Sequence, residues 1–366
     1  MSIRSPEWSG SRACRCSSAR HDRCECSMSS ESPNLLTLKL PKELGGLEAD
    51  LRTQFLATEA ASRKDGSAGW NETFTTTSAA IAAARLPEEG FAEVAASATG
   101  GAAWPPFTGT FPLSGRAAPA PDGVVLTGRW GFASGIVDAA WVVAGCTTES
   151  GPRWAVIPIE QVTVHDTWQV SGLEETLSHD YSVDNVFVPH SRLFDLSQPP
   201  PRGGILHRLP MYALISPDHC GVSLGIARRA LDEIAIAAAG KNRLTSAAPL
   251  DERPAFQRDL GQADTQLRAA RALVLEVLDE IWEAGAGGGP VSDELVQRAR
   301  AAATHAADTA VEVASMAYRR GGGTVLYQDH PLNRCFRDAH AATQHVHVTD
   351  EMYELVGANL LGGQPD

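Results

Sequence analysis

The pattern of apolar and polar positions changes character three times along the chain. Residues 1–33 are rich in Arg, Ser and Cys and contain no apolar run. Such a composition buries too little apolar surface to offset the entropy of ordering, so it predicts a disordered extension that stability does not need. After Leu35, Leu47, Leu51 and Phe55 recur every four residues, which is the spacing of one helical face. Pro41 and Gly45-Gly46 punctuate a loop before that helix, and Asp65–Trp70 marks a turn before the next. Residues 34–103 therefore read as a helical N-terminal domain. From Trp104 the helical period stops. Short runs rich in Val, Ile and Trp at Gly123–Thr127, Ala140–Ala144, Trp154–Pro158 and Val183–Val188 alternate with Gly, Pro, Asp and Ser clusters, the mark of strands. Residues 104–210 read as a β domain. From Met211 to the end, Ala- and Leu-rich runs at Ser216–Ala239, Ala255–Ala284, Ser292–Tyr318 and Pro331–Leu361 predict four helices, and thus a bundle over residues 211–366. The expected fold class is α+β. Val311–Ala317 and Ala299–Ala303 are apolar on more than one helical face, which calls for burial on several sides.

Charge narrows the function classes. The 366 residues carry 31 Lys and Arg against 44 Asp and Glu, a formal charge of −13. A nucleic-acid surface is not expected, and an anionic ligand would need its positive charges supplied locally. No apolar run reaches the roughly 20 residues of a membrane-spanning helix, and the N-terminus has no apolar segment of a secretory signal. Four of the seven cysteines form Cys14-x-Cys16 and Cys24-x-Cys26, with His21 nearby. That set could bind a metal, but it lies in the extension, and no metal site is assigned to it. Met28 offers an alternative start. Cys146, Cys220 and Cys335 are scattered and read as reduced core thiols of a cytoplasmic protein.

Three stretches carry candidate chemistry. Arg319–His347 opens with three glycines, Gly321–Gly323, where backbone N–H groups can approach an anion closely. Pro331 then suits a first helical position, and the helix after it bears Arg334, Arg337, Asp338, His340 and His345. Arg334 and Asp338 are four apart and can pair. If the helix continues, His347 sits about 200° around from His345 and faces elsewhere. The second stretch is Leu126–Gly135, LTGRWGFASG, a strand and turn with two aromatics and Ser134. The third is Trp168–Pro189, WQVSGLEETLSHDYSVDNVFVP. A local basic cluster, Gly240-Lys-Asn-Arg243, stands out in an acidic chain. No GxGxxG occurs, so a domain for NAD(P)H is not evident.

In this order the stretches resemble the acyl-CoA dehydrogenase superfamily, and more narrowly its flavin-dependent monooxygenase branch, the oxygenase components of two-component (group D) aromatic hydroxylases. LKLPKELGG extends the likeness towards the N-terminus, to about residue 35. The resemblance implies an N-terminal helical domain, a central β-barrel or sandwich and a C-terminal four-helix bundle. Relatives carry a further helix pair before PKELGG, for which this chain has no room, so the first domain is expected to be incomplete. The resemblance also implies reduced flavin, FMNH2 or FADH2, supplied by a separate NAD(P)H:flavin reductase. O2 would be co-substrate, reacting through a C4a-hydroperoxyflavin to hydroxylate an electron-rich aromatic, and the assembly would be a homotetramer. Residue by residue, it assigns Trp130 and Phe132 to the walls of the flavin ring and Ser134 to its N5 edge. Thr176 and Ser178 keep the family's hydroxyl positions. Gly322, Gly323 and Thr324 fall at the phosphate loop, and Arg243 reaches the flavin phosphate of a neighbouring subunit. His345 orients the hydroperoxide or deprotonates a phenol, imidazole titrating near neutrality. The chain departs from the family at Glu174-Glu175-x-Leu177, where Arg-Gly and a second Gly are usual. Two other readings stay open: an acyl-CoA dehydrogenase proper, against which stands the lack of a carboxylate between Ala339 and Thr349, and a flavin-free subunit.

Overall fold

The computed structural model describes residues 35–241 and 248–362. The expectations placed on residues 1–33 and on Arg243 lie outside them. Among the described residues, helices α1 (Leu35–Lys39), α2 (Leu51–Lys64), α3 (Gly66–Arg85) and α4 (Glu88–Ala96) come first. Asp65 divides what would otherwise be one long helix. It ends α2, and its carboxylate caps α3 by accepting the Ala68 N–H at 2.9 Å. Helix α3 packs between α6 and β1 and buries an unbroken run from Thr76 to Ala84.

Seven strands follow: β1 (Phe107–Ala120), β2 (Gly123–Ala133), β3 (Trp141–Thr148), β4 (Gly151–Pro158), β5 (Thr163–His165), β6 (His179–Pro189) and β7 (Leu193–Phe194). They form one sheet in the order β5-β6-β2-β1-β3-β4-β7. The β1–β3 pair is parallel, with Phe107 opposite Trp141, and the other pairs are antiparallel. Inward residues such as Leu126, Trp130, Val142, Ala144, Ile157 and Tyr181 make a core of their own. A Cβ at Gly128 would lie 2.6 Å from the Trp130 ring, so this glycine makes room for the indole.

The remaining helices are α5 (Ile205–Arg208), α6 (Met211–Ala238), α7 (Pro254–Ala286), α8 (Asp293–Gly321), α9 (Pro331–Ala342) and α10 (Glu351–Leu360). None is long and apolar enough to cross a membrane. Helix α6 is central and buried without a break from Ser216 to Ala227. That buried run carries Asp218 and His219, both with no exposure. Asp218 accepts the Lys39 ammonium and the hydroxyls of Thr73 and Thr77, which ties α1 and α3 to α6.

The run expected to be a single helix from Pro331 to Leu361 breaks after Ala342. The Thr343 hydroxyl turns back to the His340 carbonyl at 2.7 Å. The sequence that follows, Gln-His-Val-His-Val-Thr, is poor in strong helix formers. The Arg334–Asp338 pair also fails to form. Arg334 reaches Asp65 at 2.7 Å and Glu175 at 3.1 Å, while Asp338 accepts the backbone N–H of Leu173 at 2.6 Å. Those partners come from other segments and offer better geometry than a neighbour on the same helix.

Candidate flavin and substrate site

Four hydroxyl and indole groups form a directed chain at the mouth of the sheet. Thr176 donates to the Leu173 carbonyl at 2.8 Å, so it must accept from Ser178 at 2.7 Å. Ser178 then accepts from Ser134 at 2.8 Å, and Ser134 accepts from the indole N–H of Trp70 at 3.0 Å. The proton of Ser134 is therefore committed, and one lone pair is left over. Ser134 is poised to accept a further N–H, not to give one. Beside it, Asn71 has a buried Oδ1 without a partner. The Asn71 Oδ1 lies near Gly135, and two residues before Ser134 stands Phe132, which is 77% exposed, held at φ 64°, and meets Trp168 edge-on at 6.1 Å.

The loop that supplies Thr176 and Ser178 is clamped by α9. Leu173 and Leu177 both lie in the left-handed region, at φ 52° and 46°, a costly conformation for these side chains. Asp338 holds the Leu173 N–H, Arg337 pairs with Glu174, and Arg334 pairs with Glu175. The two acids that depart from the family pattern are thereby matched by two arginines on α9. Burial pushes the Asp338 carboxyl up to about 6, against the pull of the Leu173 N–H and of Arg334. Gly172 lets the loop touch the helix, since a Cβ there would collide with the Arg337 carbonyl oxygen. Gly172→Ala is expected to cost about 1–3 kcal/mol and to weaken binding at the hydroxyl chain. Thermal unfolding checks the first effect and flavin titration the second.

Behind Trp70 lies a cluster of rings. His345 packs against Trp70 at 5.6 Å, Phe74 at 5.3 Å and His219 at 5.5 Å, and His219 meets His347 at 6.0 Å. Hydrogen bonds fix each tautomer. His345 Nδ1 accepts the His347 backbone N–H at 3.2 Å, so its proton sits on Nε2. His219 donates from Nε2 to the Ala342 carbonyl at 2.9 Å. Ser216 gives its proton to the Tyr212 carbonyl and must accept from His347 Nε2 at 3.1 Å. All three rings are neutral: burial lowers His345 to about 3 and His219 to about 4, and holds His347 well below its usual value. His347 is thus in the cluster and not on an opposite face, because the helix has ended before it.

Other expected contacts fall elsewhere. Trp130 is 2% exposed, stacks on Tyr181 at 5.1 Å and donates to the Gly145 carbonyl, so it fills the sheet core and cannot wall a flavin ring. The register shift of β2 between Trp130 and Ala133, with Phe132 at φ 64°, breaks the alternation, so Trp130 turns inward and Phe132 stays outside. Gly322 ends α8 at φ 75°, and Gly323 and Thr324 begin a single 3₁₀ turn. Lys241 reaches this loop, donating to the Gly321 carbonyl at 2.6 Å and to Thr324 Oγ1 at 3.2 Å. The residues not foreseen are Trp70, Asn71, Phe74, His219 and Asp338 in its clamping role. Asp-His within an otherwise apolar stretch of α6 was the available signal, since buried polar groups need a reason.

A family profile described as "Acyl-CoA dehydrogenase, C-terminal domain" matches residues 218–350. The 3-HSA hydroxylase from Rhodococcus sp. RHA1 has the same fold, with a TM-score of 0.82 at 22% identity, covering 91% of this chain and 88% of that one. Indole-3-acetate monooxygenase of Pseudomonas putida is 35% identical over 335 residues, covering 89% of this chain and 84% of its own length. The chain belongs to the flavin-dependent monooxygenase branch of the acyl-CoA dehydrogenase superfamily. A further member, the oxygenase component of the FADH2-dependent resorcinol hydroxylase of Rhizobium, is 26% identical and covers 67% of this chain and 66% of its own length. Reduced flavin and O2 are accordingly the reactants of this monooxygenase. The residues present fit the cofactor: a reduced flavin ring is flat, apolar on its faces and carries N–H groups on its edge. The spare lone pair of Ser134, two residues from the exposed Phe132 that meets Trp168, matches that donor set, and the unpartnered Asn71 Oδ1 near Gly135 adds a second acceptor.

Proposed function

We propose that this chain is the oxygenase component of a two-component system. A separate NAD(P)H:flavin reductase feeds it reduced flavin, and it hydroxylates a small electron-rich aromatic such as an indole or a phenol. The observation that carries this reading is Trp70. Its N–H bonds Ser134 and its ring packs on His345, so the hydroxyl chain and the histidine cluster belong to one site. The relatives named for indole-3-acetate and for resorcinol support the substrate class. When bound, the reduced flavin supplies the electrons for oxygen activation. Ser134 would accept the N–H at its N5 edge, with Phe132 and Trp168 against the ring. The Gly322–Thr324 loop with Lys241, and Arg243 from a neighbouring subunit, would face its phosphates in a homotetramer. Neither FMN nor FAD is favoured by these contacts. The expected compartment is the cytoplasm.

His345 would act as a donor. Its Nδ1 is occupied and its Nε2 carries the proton, so it offers a hydrogen bond to a developing oxyanion at every pH well above 3. This replaces the alternative of deprotonating a phenol through Nε2. Against the dehydrogenase reading, no carboxylate lies between Ala339 and Thr349 to serve as its base, and Asp338 and Asp218 are engaged by the Leu173 N–H and by Lys39. Of the supports for the flavin-free reading, the Glu174-Glu175 departure is answered, since these acids are paired with Arg337 and Arg334.

His345→Ala is expected to bind reduced flavin normally and to lose at least about tenfold in coupled product formation, with peroxide release persisting or rising. The wild-type rate should show no break from this residue between pH 5 and 9. The exposed His340 is the control, and its alanine variant should behave as wild type. Unchanged coupling in His345→Ala, measured as product per flavin oxidised, would rule out this role.

A further inference from the structure

The tautomers leave two nitrogens without a use. His219 gives its only proton to Ala342 and His347 gives its own to Ser216. The Nδ1 atom of each ring is therefore a lone-pair acceptor. Both are buried and neither has a hydrogen-bond partner in the protein. Both rings have no exposure, and His219 lies between His345, Trp70 and His347. A buried acceptor left unmet costs roughly 1–3 kcal/mol, and this site bears two within one ring cluster. The rings around them, Trp70, Phe74 and Tyr212, offer flat apolar surface.

We infer that His219 Nδ1, backed by His347 Nδ1, receives an N–H or O–H of the aromatic substrate and makes this donor a requirement of the site. The inference rests on the monooxygenase reading above and names what that site selects. The donor side would be His345, whose proton sits on Nε2. The acceptor side is His219, which fixes the ring's orientation. An indole presents an N–H and a phenol an O–H. A sulfur or fluorine isostere fills the same space and presents neither. Sites built to bond a polar hydrogen reject the analogue that lacks it more strongly than they reject a change of size, because their own buried group is left unpaired.

The probes are indole-3-acetate and benzothiophene-3-acetate, titrated anaerobically into the protein loaded with reduced flavin. The wild type is expected to prefer the N–H compound by at least about tenfold. His219→Gln keeps a side-chain N–H for the Ala342 carbonyl and moves its one acceptor, Oε1, away from the position of Nδ1, so the preference should fall towards unity while reduced flavin still binds. His219→Asn places an oxygen near the position of Nδ1 and should retain much of the preference. Equal affinity of the wild type for the two compounds would overturn the inference, pointing to a buried water as the partner of these nitrogens. So would a preference that survives in His219→Gln. Should the variants fail to fold, the wild-type ratio alone decides. The two readings fail separately. A protein that oxygenates both compounds equally in air loses the inference and keeps the monooxygenase. One that prefers the N–H compound yet releases only peroxide with every aromatic tried loses the hydroxylase reading and keeps the inference.

Discussion

Asp218→Ala is expected to destabilise the protein by about 3–5 kcal/mol. Lys39 is 2% exposed, and its ammonium reaches Asp218, the Thr73 hydroxyl and the Thr73 carbonyl. Burial alone pushes the Lys39 pKa down, and the carboxylate is what draws it back. Without Asp218 the cation loses its counter-charge in a place water does not reach, and the Thr73 and Thr77 hydroxyls lose their acceptor. The lysine must then shed its proton or pull α1 away from α6. An apolar replacement of both partners, Lys39→Met with Asp218→Leu, should recover most of the loss, because a buried ion pair is far costlier to break than to replace. Denaturant midpoints of the two variants test this. A single variant within 1 kcal/mol of wild type would mean that the pair is hydrated and structurally idle. The pair also sets the site: His219 is the next residue, and Thr73 shares α3 with Trp70 and Phe74.

Much of the fold could be read from the chain because its signals are local. The change from helical to strand period near Trp104 and back near Met211 needs no tertiary information. The three motifs in their order carried the family, and Ser134, Thr176, Ser178 and His345 came with them. What could not be read was decided by partners distant in sequence. Lys39 and Asp218 are 179 residues apart, and neither looks unusual alone. Glu174 and Glu175 looked like a lost cation site because the arginines that match them stand more than 150 residues later. Trp130 and Phe132 are two apart and would share a face on a regular strand. The register shift between Trp130 and Ala133 separates them, burying one ring and exposing the other. His347 was misplaced for a simpler reason: angular reasoning around a helix holds only while the helix continues, and this one stops at Ala342.

Mild acid is expected to unfold this protein before carboxylates of ordinary pKa titrate. Among the described residues, four histidines are held neutral, three of them buried and His345 partly buried. His207 and His219 are lowered to about 4, His345 to about 3, and His347 further below its ordinary value, in each case chiefly by burial. The unfolded chain protonates these rings below about pH 6.5 and the folded protein does not. The unfolded state therefore binds more protons, and stability present above pH 6.5 is lost as pH falls towards 4. Each ring approaches a slope of about 1.4 kcal/mol per pH unit in that window. Asp338 acts in the opposite sense. Its folded carboxyl is raised to about 6, so it gains stability as pH falls from 6 towards 4. Glu72 and Asp308, also raised by burial, act in the same sense as Asp338, so the net loss is smaller than the four rings would give together, on the order of a few kcal/mol per pH unit near pH 5, still a large part of the stability of an ordinary domain. Urea unfolding at pH 7, 6 and 5 measures the slope. His207→Gln, outside the proposed site, should reduce it by roughly one ring's share and leave flavin binding intact. A stability that is flat from pH 7 to 5 would mean that these rings take up protons in the folded protein. The neutral tautomers on which the roles of His345 and His219 depend would then fall with it.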